Sequence, residues 1–381
     1  MPKQPKSIIR RSSLEVLPVE ILNRICNDVD VYSLLCSLRN TCRRLRTVIK
    51  QYEYINLDCR SFSKRHFQHI CHVIDPKNVR SLSLSGDWEN GRIVNLFVTS
   101  FKKKVFTRIR HVTLIEIHEN NLRNILKLLN FLSLVSFSLK FSQSDRYSNN
   151  ASATLLSSML TRSHLRRLDL DLHPGRIEEI VWYVKSPIEY LSIGPLMNIN
   201  VICDILQHCS RLRTLICNCG TSNDSKFSLD RMIPTSKFTQ LTLLTLNRLE
   251  SDIKDLELLL ALVPSVTYLK LTGTGNYLNG NRWKNFLETN LPLLTQFEFF
   301  FNEILHPSQV IPDINLIISS FSTNFWLKTK EWFVTCEYNV ENPKKIFLYS
   351  LPICVLDQTY DCESVNISLS TKIEIDANII L

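Results

Sequence analysis

Four groupings bring chemically capable side chains close together along the 381 residues. His66, His69 and His72, with Cys71 among them, hold the atoms of a zinc site. Their i, i+3, i+6 spacing drifts around a helix, whereas zinc-binding helices present i, i+4 pairs backed by distant ligands. No metal is expected there. Cys217 and Cys219 lack a second pair at ligand spacing and read as structural. Glu178 and Glu179 would have to converge for acid–base chemistry, yet adjacent helical residues diverge by about 100°, so a solvated helix face is expected. Gly273-Thr274-Gly275 lacks the downstream glycine and the Lys-Ser/Thr pair that cradle phosphates. The whole chain has 8 glycines, far below the usual ~7%, which argues against nucleotide loops. No Gly-x-Ser-x-Gly elbow, kinase set or His-Glu-x-x-His is present. Neither an enzyme nor a cofactor is expected.

The elements around these residues belong to a folded protein: 44% of the chain is hydrophobic and 21% charged. The net charge of +9 is uneven, with +12 in residues 1–111 and −3 in the remainder. The basic third carries no RNP-type or helix-turn-helix signature, so nucleic acid is not the expected partner; an acidic protein partner and plain solubility fit the charge equally well. The Met-Pro-Lys-Gln-Pro-Lys-Ser start has no apolar h-region. The twelve cysteines then read as free thiols, with Cys26, Cys36, Cys71, Cys203 and Cys209 on apolar helix stripes. Sequons at Asn150, Asn223 and Asn366 are the number chance supplies. The best apolar run, Leu256 to Val263, is far short of the ~20 residues that span a bilayer. A cytoplasmic or nuclear protein is expected.

The organising signal is a repeated short strand with two apolar residues one apart and a third two or three positions earlier. It reads Val79/Leu82/Leu84, Ile109/Val112/Leu114, Leu134/Phe137/Leu139, Leu165/Leu168/Leu170, Ile188/Leu191/Ile193, Leu212/Leu215/Cys217, Leu241/Leu244/Leu246, Val266/Leu269/Leu271 and Leu294/Phe297/Phe299. A degenerate copy sits at Tyr54 to Leu57. Between the copies lie helical stripes such as Leu122, Ile125, Leu126 and Leu129, or Ile253, Leu256, Leu259 and Leu260, with Asn198 and Ser251-Asp252 as N-terminal caps. The pattern resembles the leucine-rich repeats, units of one strand and one helix that bury their faces only by stacking.

Strand alternation turns the residues between the anchors away from the core. Arg167, Asp169, Asp171, Tyr190, Asn218, Asn247, Tyr268 and Lys270 are the candidate substrate contacts on an otherwise small, polar concave face. After Pro307 the pattern becomes aromatic with period two, at Phe325-Trp326, Trp332 to Val334, Ile346 to Tyr349 and Val365 to Leu369. A strand-rich cap over the last repeat is expected there.

At the N-terminus, Pro18 is placed in a first helical turn, followed by a stripe of Leu17, Ile21, Leu22 and Ile25. Leu34, Leu35 and Leu38 come next, and then a basic helix over 40–50. So small a unit seldom folds alone and must dock on the first repeat, on another protein, or on both. The series Leu17-Pro18-x-Glu20-Ile21-Leu22-x-x-Ile25, Leu34-x-x-x-Leu38 and Cys42-Arg43-Arg44-Leu45 resembles the F-box family, with Cys26 and Leu45 standing where members often carry aromatics. The resemblance implies binding to a Skp-type adaptor, and through it to a cullin scaffold and a ubiquitin ligase. It marks Leu17, Pro18, Ile21, Leu22, Ile25, Leu34, Leu38 and Leu45 as adaptor contacts, with Glu20 and Arg43 as polar rim. The expected fold is α/β. It divides into a disordered basic tail over 1–12, a three-helix F-box over 13–52, a leucine-rich-repeat solenoid with a curved parallel sheet and outer helices over 53–306, and a β-rich cap over 307–381. A repeat scaffold that uses its helical module only as a cap is the alternative.

Overall fold

The computed structural model describes residues 14–86, 91–102, 104–141, 151–162, 164–172, 174–182, 186–220, 237–305, 312–339, 345–354 and 367–372. The tail over 1–12 and the sequons at Asn150, Asn223 and Asn366 lie outside them. Two compact units form: one from residues 1–155 and 162–164, the other from 156–161 and 165–381.

The first unit opens with α1 (Val19–Asp28), a wide helical turn over Ser33–Leu38, α2 (Arg39–Thr41) and α3 (Arg43–Gln51). Strand-helix repeats follow as β1 (Ile55–Asp58), α4 (Lys64–Val73), β2 (Val79–Ser85), α5 (Gly91–Ser100), β3 (His111–Ile117), α6 (Glu119–Leu126) and β4 (Ser136–Phe141). All four strands run parallel, in sequence order. Register aligns Leu57, Leu82, Val112 and Phe137 in one row, each 1% exposed or less. The degenerate copy is therefore a true first strand.

Past α7 (Ala151–Arg162), the second unit runs β5 (Arg167–Asp171), α8 (Pro174–Glu178), β6 (Tyr190–Met197), α9 (Ile199–His208), β7 (Thr214–Cys219), β8 (Leu243–Leu249), α10 (Ile253–Ala261), β9 (Tyr268–Thr274), α11 (Gly280–Asn290) and β10 (Gln296–Ile304). Six parallel strands place Leu168, Leu191, Leu215, Leu244, Leu269 and Phe297 side by side. Their burial is what stacking of incomplete units requires. Side chains of Asn198, Asp252 and Asn279 accept from Val201 N, Lys254 N and Arg282 N at 3.0 Å, the expected way to satisfy a helix start. Glu116 and Arg248, four residues past their anchors, take φ of 54° and 55° where the strand ladders skip a residue.

Three sequence expectations are corrected. Pro18 sits just before α1 with φ −55° and ψ 151°. Its extended backbone turns the chain into the helix, and its carbonyl accepts from Ile21 N and Leu22 N at 3.1 Å. The basic helix begins at Arg43, because Cys42 is extended and its sulfur caps Leu45 N at 3.4 Å. Phe325 and Trp326 lie in a helical turn over Phe325–Thr329 rather than a strand. The reason is that α12 (Ile314–Phe321), capped by Asp313, completes a last repeat and buries Ile314, Ile317, Ile318 and Phe321 at helical spacing. The cap proper is β11 (Val334–Asn339), β12 (Lys345–Ser350) and β13 (Ile367–Ser370), antiparallel in the order β10-β12-β11-β13.

Gly273, from the cluster that could not cradle phosphate, lies against Leu249 across the β8–β9 pair. A Cβ there would sit 2.3 Å from the Leu249 carbonyl oxygen and 2.5 Å from its nitrogen. Backbone cannot yield as a side chain does, so Gly273→Ala is expected to destabilise the second unit by about 1–3 kcal/mol, read as a lower urea midpoint. Burial raises the thiols of Cys71 and Cys203 to about 11 and of Cys209 and Cys336 to about 12. Native protein at pH 8 should therefore label at Cys36, Cys42 and Cys354, the half-buried thiols among the described residues. The buried ones should label only after unfolding, as residue-resolved mass spectrometry would show.

Candidate functional site

The helical module buries part of its apolar residues and leaves others exposed. Leu22, Cys26, Val31, Leu34, Leu35, Leu45, Val48 and Ile49 are buried within the first unit. On the outside, Leu14 is 41%, Val16 78%, Val19 46% and Ile21 38% exposed. These four fall within eight residues, on the short turn over Leu14–Val16 and the start of α1. An Arg44 Nη2 hydrogen bond to the Leu17 carbonyl, 2.6 Å, ties that turn to α3. Of the predicted adaptor contacts, Pro18, Glu20, Ile21 and Arg43 are exposed, Leu17, Ile25 and Leu38 are half-buried, and Leu22, Leu34 and Leu45 are interior. Cys26 and Leu45 are 2% and 3% exposed, so the small residues at these positions reduce the volume of the interior, not the outer face. Sequence reasoning missed Leu14 and Val16, which precede the helical stripe, and Val19, which falls between its members Leu17 and Ile21.

The module's opposite side packs on the first repeat. Tyr32 lies 4.3 Å from the His66 ring of α4. Arg39 Nη1 donates to the Val73 carbonyl at 3.4 Å, and Asn78 Nδ2 to the Lys50 carbonyl at 3.2 Å. Tyr52 donates to Asn27, and its burial pushes the phenol up to about 12. This side is a cap over the first strand-helix pair.

The second candidate surface is the face of β5–β10 turned away from the core. Arg167, Tyr190, Thr214, Leu243, Tyr268 and Gln296 form one row across six strands, about 24 Å at ~4.8 Å per strand. The Arg167 guanidinium lies 3.9 Å over the Tyr190 ring, with Nε 3.0 Å from Asp169 Oδ2. Asp171 lies over Gly194, where a Cβ would come within 2.7 Å of its Oδ1. Asn218 Nδ2 donates to the Gly194 carbonyl. Asn247 Oδ1 accepts from Thr272 at 3.3 Å, and Tyr268 donates to Glu298 Oε2 at 2.8 Å; burial and that hydrogen bond raise the Tyr268 pKa. Lys270 differs, since its Nζ donates to the Cys354 carbonyl at 2.6 Å. Leu351 and Cys354 pack on a cluster of Phe300, Phe347 and Tyr349 on this same face. The chain thus covers the β9–β10 end with its own segment. Thr245, expected outward, is 8% exposed.

The four chemical groupings of the sequence stay apart. His66, His69 and His72 are exposed on α4, Cys217 and Cys219 face the core, and Glu178 and Glu179 are exposed. Among the described residues, no group of three His, Cys, Asp or Glu side chains is placed to hold a metal ion. No helix there is long and apolar enough to cross a membrane.

Residues 14–55 match the F-box domain model. No curated protein matches the chain. Among solved structures, the leucine-rich-repeat-containing protein LegL7 of Legionella pneumophila is similar at 14% identity, over 70% of this chain and 96% of that one, with a TM-score of 0.33. Rad7 in its yeast complex with Elc1 is similar at 15% identity, over 77% and 89%, with a TM-score of 0.34. Residues 14–55 are thus an F-box domain, and registered strand-helix units follow it.

Proposed function

We propose that the chain is the substrate-recognition subunit of a Skp-cullin-F-box type ubiquitin ligase. It holds the adaptor through its F-box and a protein substrate on the repeat face, while chemistry occurs on other subunits in the cytoplasm or nucleus. One observation carries the reading: Leu14, Val16, Val19 and Ile21, four apolar residues within eight positions of the F-box, are all exposed. Exposed apolar groups rimmed by polar ones mark protein interfaces; Pro18 joins the apolar contacts here, and Glu20 and Arg43 form the polar rim. Leu17, Ile25 and Leu38 complete the surface as half-buried neighbours. Leu22, Leu34 and Leu45 act by shaping the module from inside.

The scaffold alternative draws on the cap contacts of Tyr32, Arg39 and Asn78. It accounts for that side of the module but leaves the strip without a role. The two sides separate the readings experimentally. Val16→Asp with Val19→Asp is expected to abolish co-purification of a Skp-type adaptor and cullin, while the melting curve stays within about 0.5 kcal/mol of the parent. Undiminished adaptor recovery from that variant would reject the ligase reading. Tyr32→Ala with Arg39→Ala is expected to do the reverse, lowering stability of the first unit by about 1–3 kcal/mol in urea unfolding while adaptor binding persists.

A further inference from the structure

The second unit has a cleft that neither the F-box nor the open sheet face accounts for. It lies at the amino-terminal ends of β6–β8, has a volume of about 570 Å³, and is lined by Glu189, Ser210, Arg211, Arg213, Gln240 and Thr242. Glu189, Arg213 and Thr242 are the same position in three successive repeats, one residue before the outward row. The backbone there is already spent. Arg213 N and Thr214 N donate to the Glu189 carbonyl at 2.8 and 3.0 Å; Thr242 N and Leu243 N donate to the Arg213 carbonyl at 2.9 Å. The Thr242 hydroxyl donates to that same carbonyl at 3.1 Å. What remains for a ligand are side chains.

Two of these are guanidinium groups without a side-chain partner among the described residues. Arg211 and Arg213 are exposed, and neither has a side-chain hydrogen bond or ion pair among the described residues. The other arginines nearby are engaged: Arg167 with Tyr190 and Asp169, and Arg166 with Glu189 at 3.9 Å. Glu189, the one carboxylate of the cleft, is thus drawn toward Arg166. The cleft offers two open planar forks, with Ser210 and Gln240 as neutral donors beside them. Guanidinium forks match carboxylates two bonds at a time, and the volume lies in the range of pockets that enclose a few side chains.

We infer that this cleft binds an acidic segment of a protein substrate, with Asp or Glu carboxylates on Arg211 and Arg213. The inference rests on the reading of the repeats as substrate receptor and names the class of segment they take. A nucleic acid fits less well. Its phosphates need a continuous cationic track, whereas Glu189, Asp169 and Asp171 interrupt this one, and the chain beyond residue 111 carries a net −3.

The test uses full-length protein and fluorescein-labelled peptides in anisotropy titrations. One peptide carries a Glu run, one has Gln in its place, one has phosphoserine, and a single-stranded oligonucleotide of equal charge competes. The Glu peptide is expected to bind and the Gln peptide not to. Arg211→Ala with Arg213→Ala should weaken the Glu peptide roughly ten-fold or more, and Glu189→Gln should strengthen it. Arg211→Glu, which touches no backbone bond of the ladder, serves as the second loss variant. Unchanged Glu-peptide affinity in both loss variants overturns the inference. So does an oligonucleotide that displaces the peptide at lower concentration than the peptide itself. A phosphoserine peptide bound roughly ten-fold tighter than the Glu peptide would overturn the assignment to carboxylates. None of these readouts involves the adaptor, so the cleft and the ligase reading fail separately.

Discussion

Everything in this protein depends on a strand-helix unit being unable to bury its own apolar face. A single unit exposes its leucine row to water on both flanks, and only a neighbour in register covers it. The rows from Leu57 to Phe137 and from Leu168 to Phe297 are that coverage made visible, with side chains of consecutive parallel strands at the same height. Each buried leucine is worth about 1.5–3 kcal/mol against exposure, so the array is stable only while its order is unbroken. The spent backbone bonds and the threonine hydroxyls of Thr242, Thr267 and Thr295, each on the carbonyl one repeat earlier, lock that order at the strand starts.

Each unit has one end of its strand array closed, and the two are closed differently. At the first strand the closure is helical, and it requires only one side of the F-box module. At the last strand the closure is aromatic. Trp283 stacks on Phe301 at 6.0 Å, and Phe299, Phe321 and Trp326 fill the volume where another repeat would begin. The sheet then reverses direction through β12. Its outward cluster of Phe300, Phe347 and Tyr349 receives the chain at Leu351 to Cys354. Aromatic rings suit this task because each covers 150–250 Å² with few rotatable bonds.

The functional consequence is a division of surfaces. Interior positions of the F-box set its shape, while Leu14, Val16, Val19 and Ile21 stay exposed. On the repeats, the end nearest the cap is occupied in cis. A pre-ordered Arg167 on Tyr190, with two arginines at the strand starts that have no side-chain partner among the described residues, gives the β5–β8 region most of its chemical character.

The repeat was legible in the sequence because apolar spacing within one element fixes which side chains share a face, and side-chain period is a local property. The anchors, the helix stripes of α6 and α10, and the caps at Asn198 and Asp252 all follow from that. The F-box was legible as an ordered series of Leu, Pro, Glu and Ile positions, because short helices conserve spacing. What no local period encodes is which neighbour covers a face. Whether Leu22, Leu34 and Leu45 are interior or Val16 and Val19 exposed depends on how three helices and α4 pack. That Lys270 is engaged by Cys354, 84 positions on, depends on the path of the cap. Phe325 and Trp326 turned helical because α12 delivered them into an aromatic interior, and Gly273 is required only because β8 approaches it. Patterning chose the faces; tertiary packing chose which of them meet protein and which remain open to a partner.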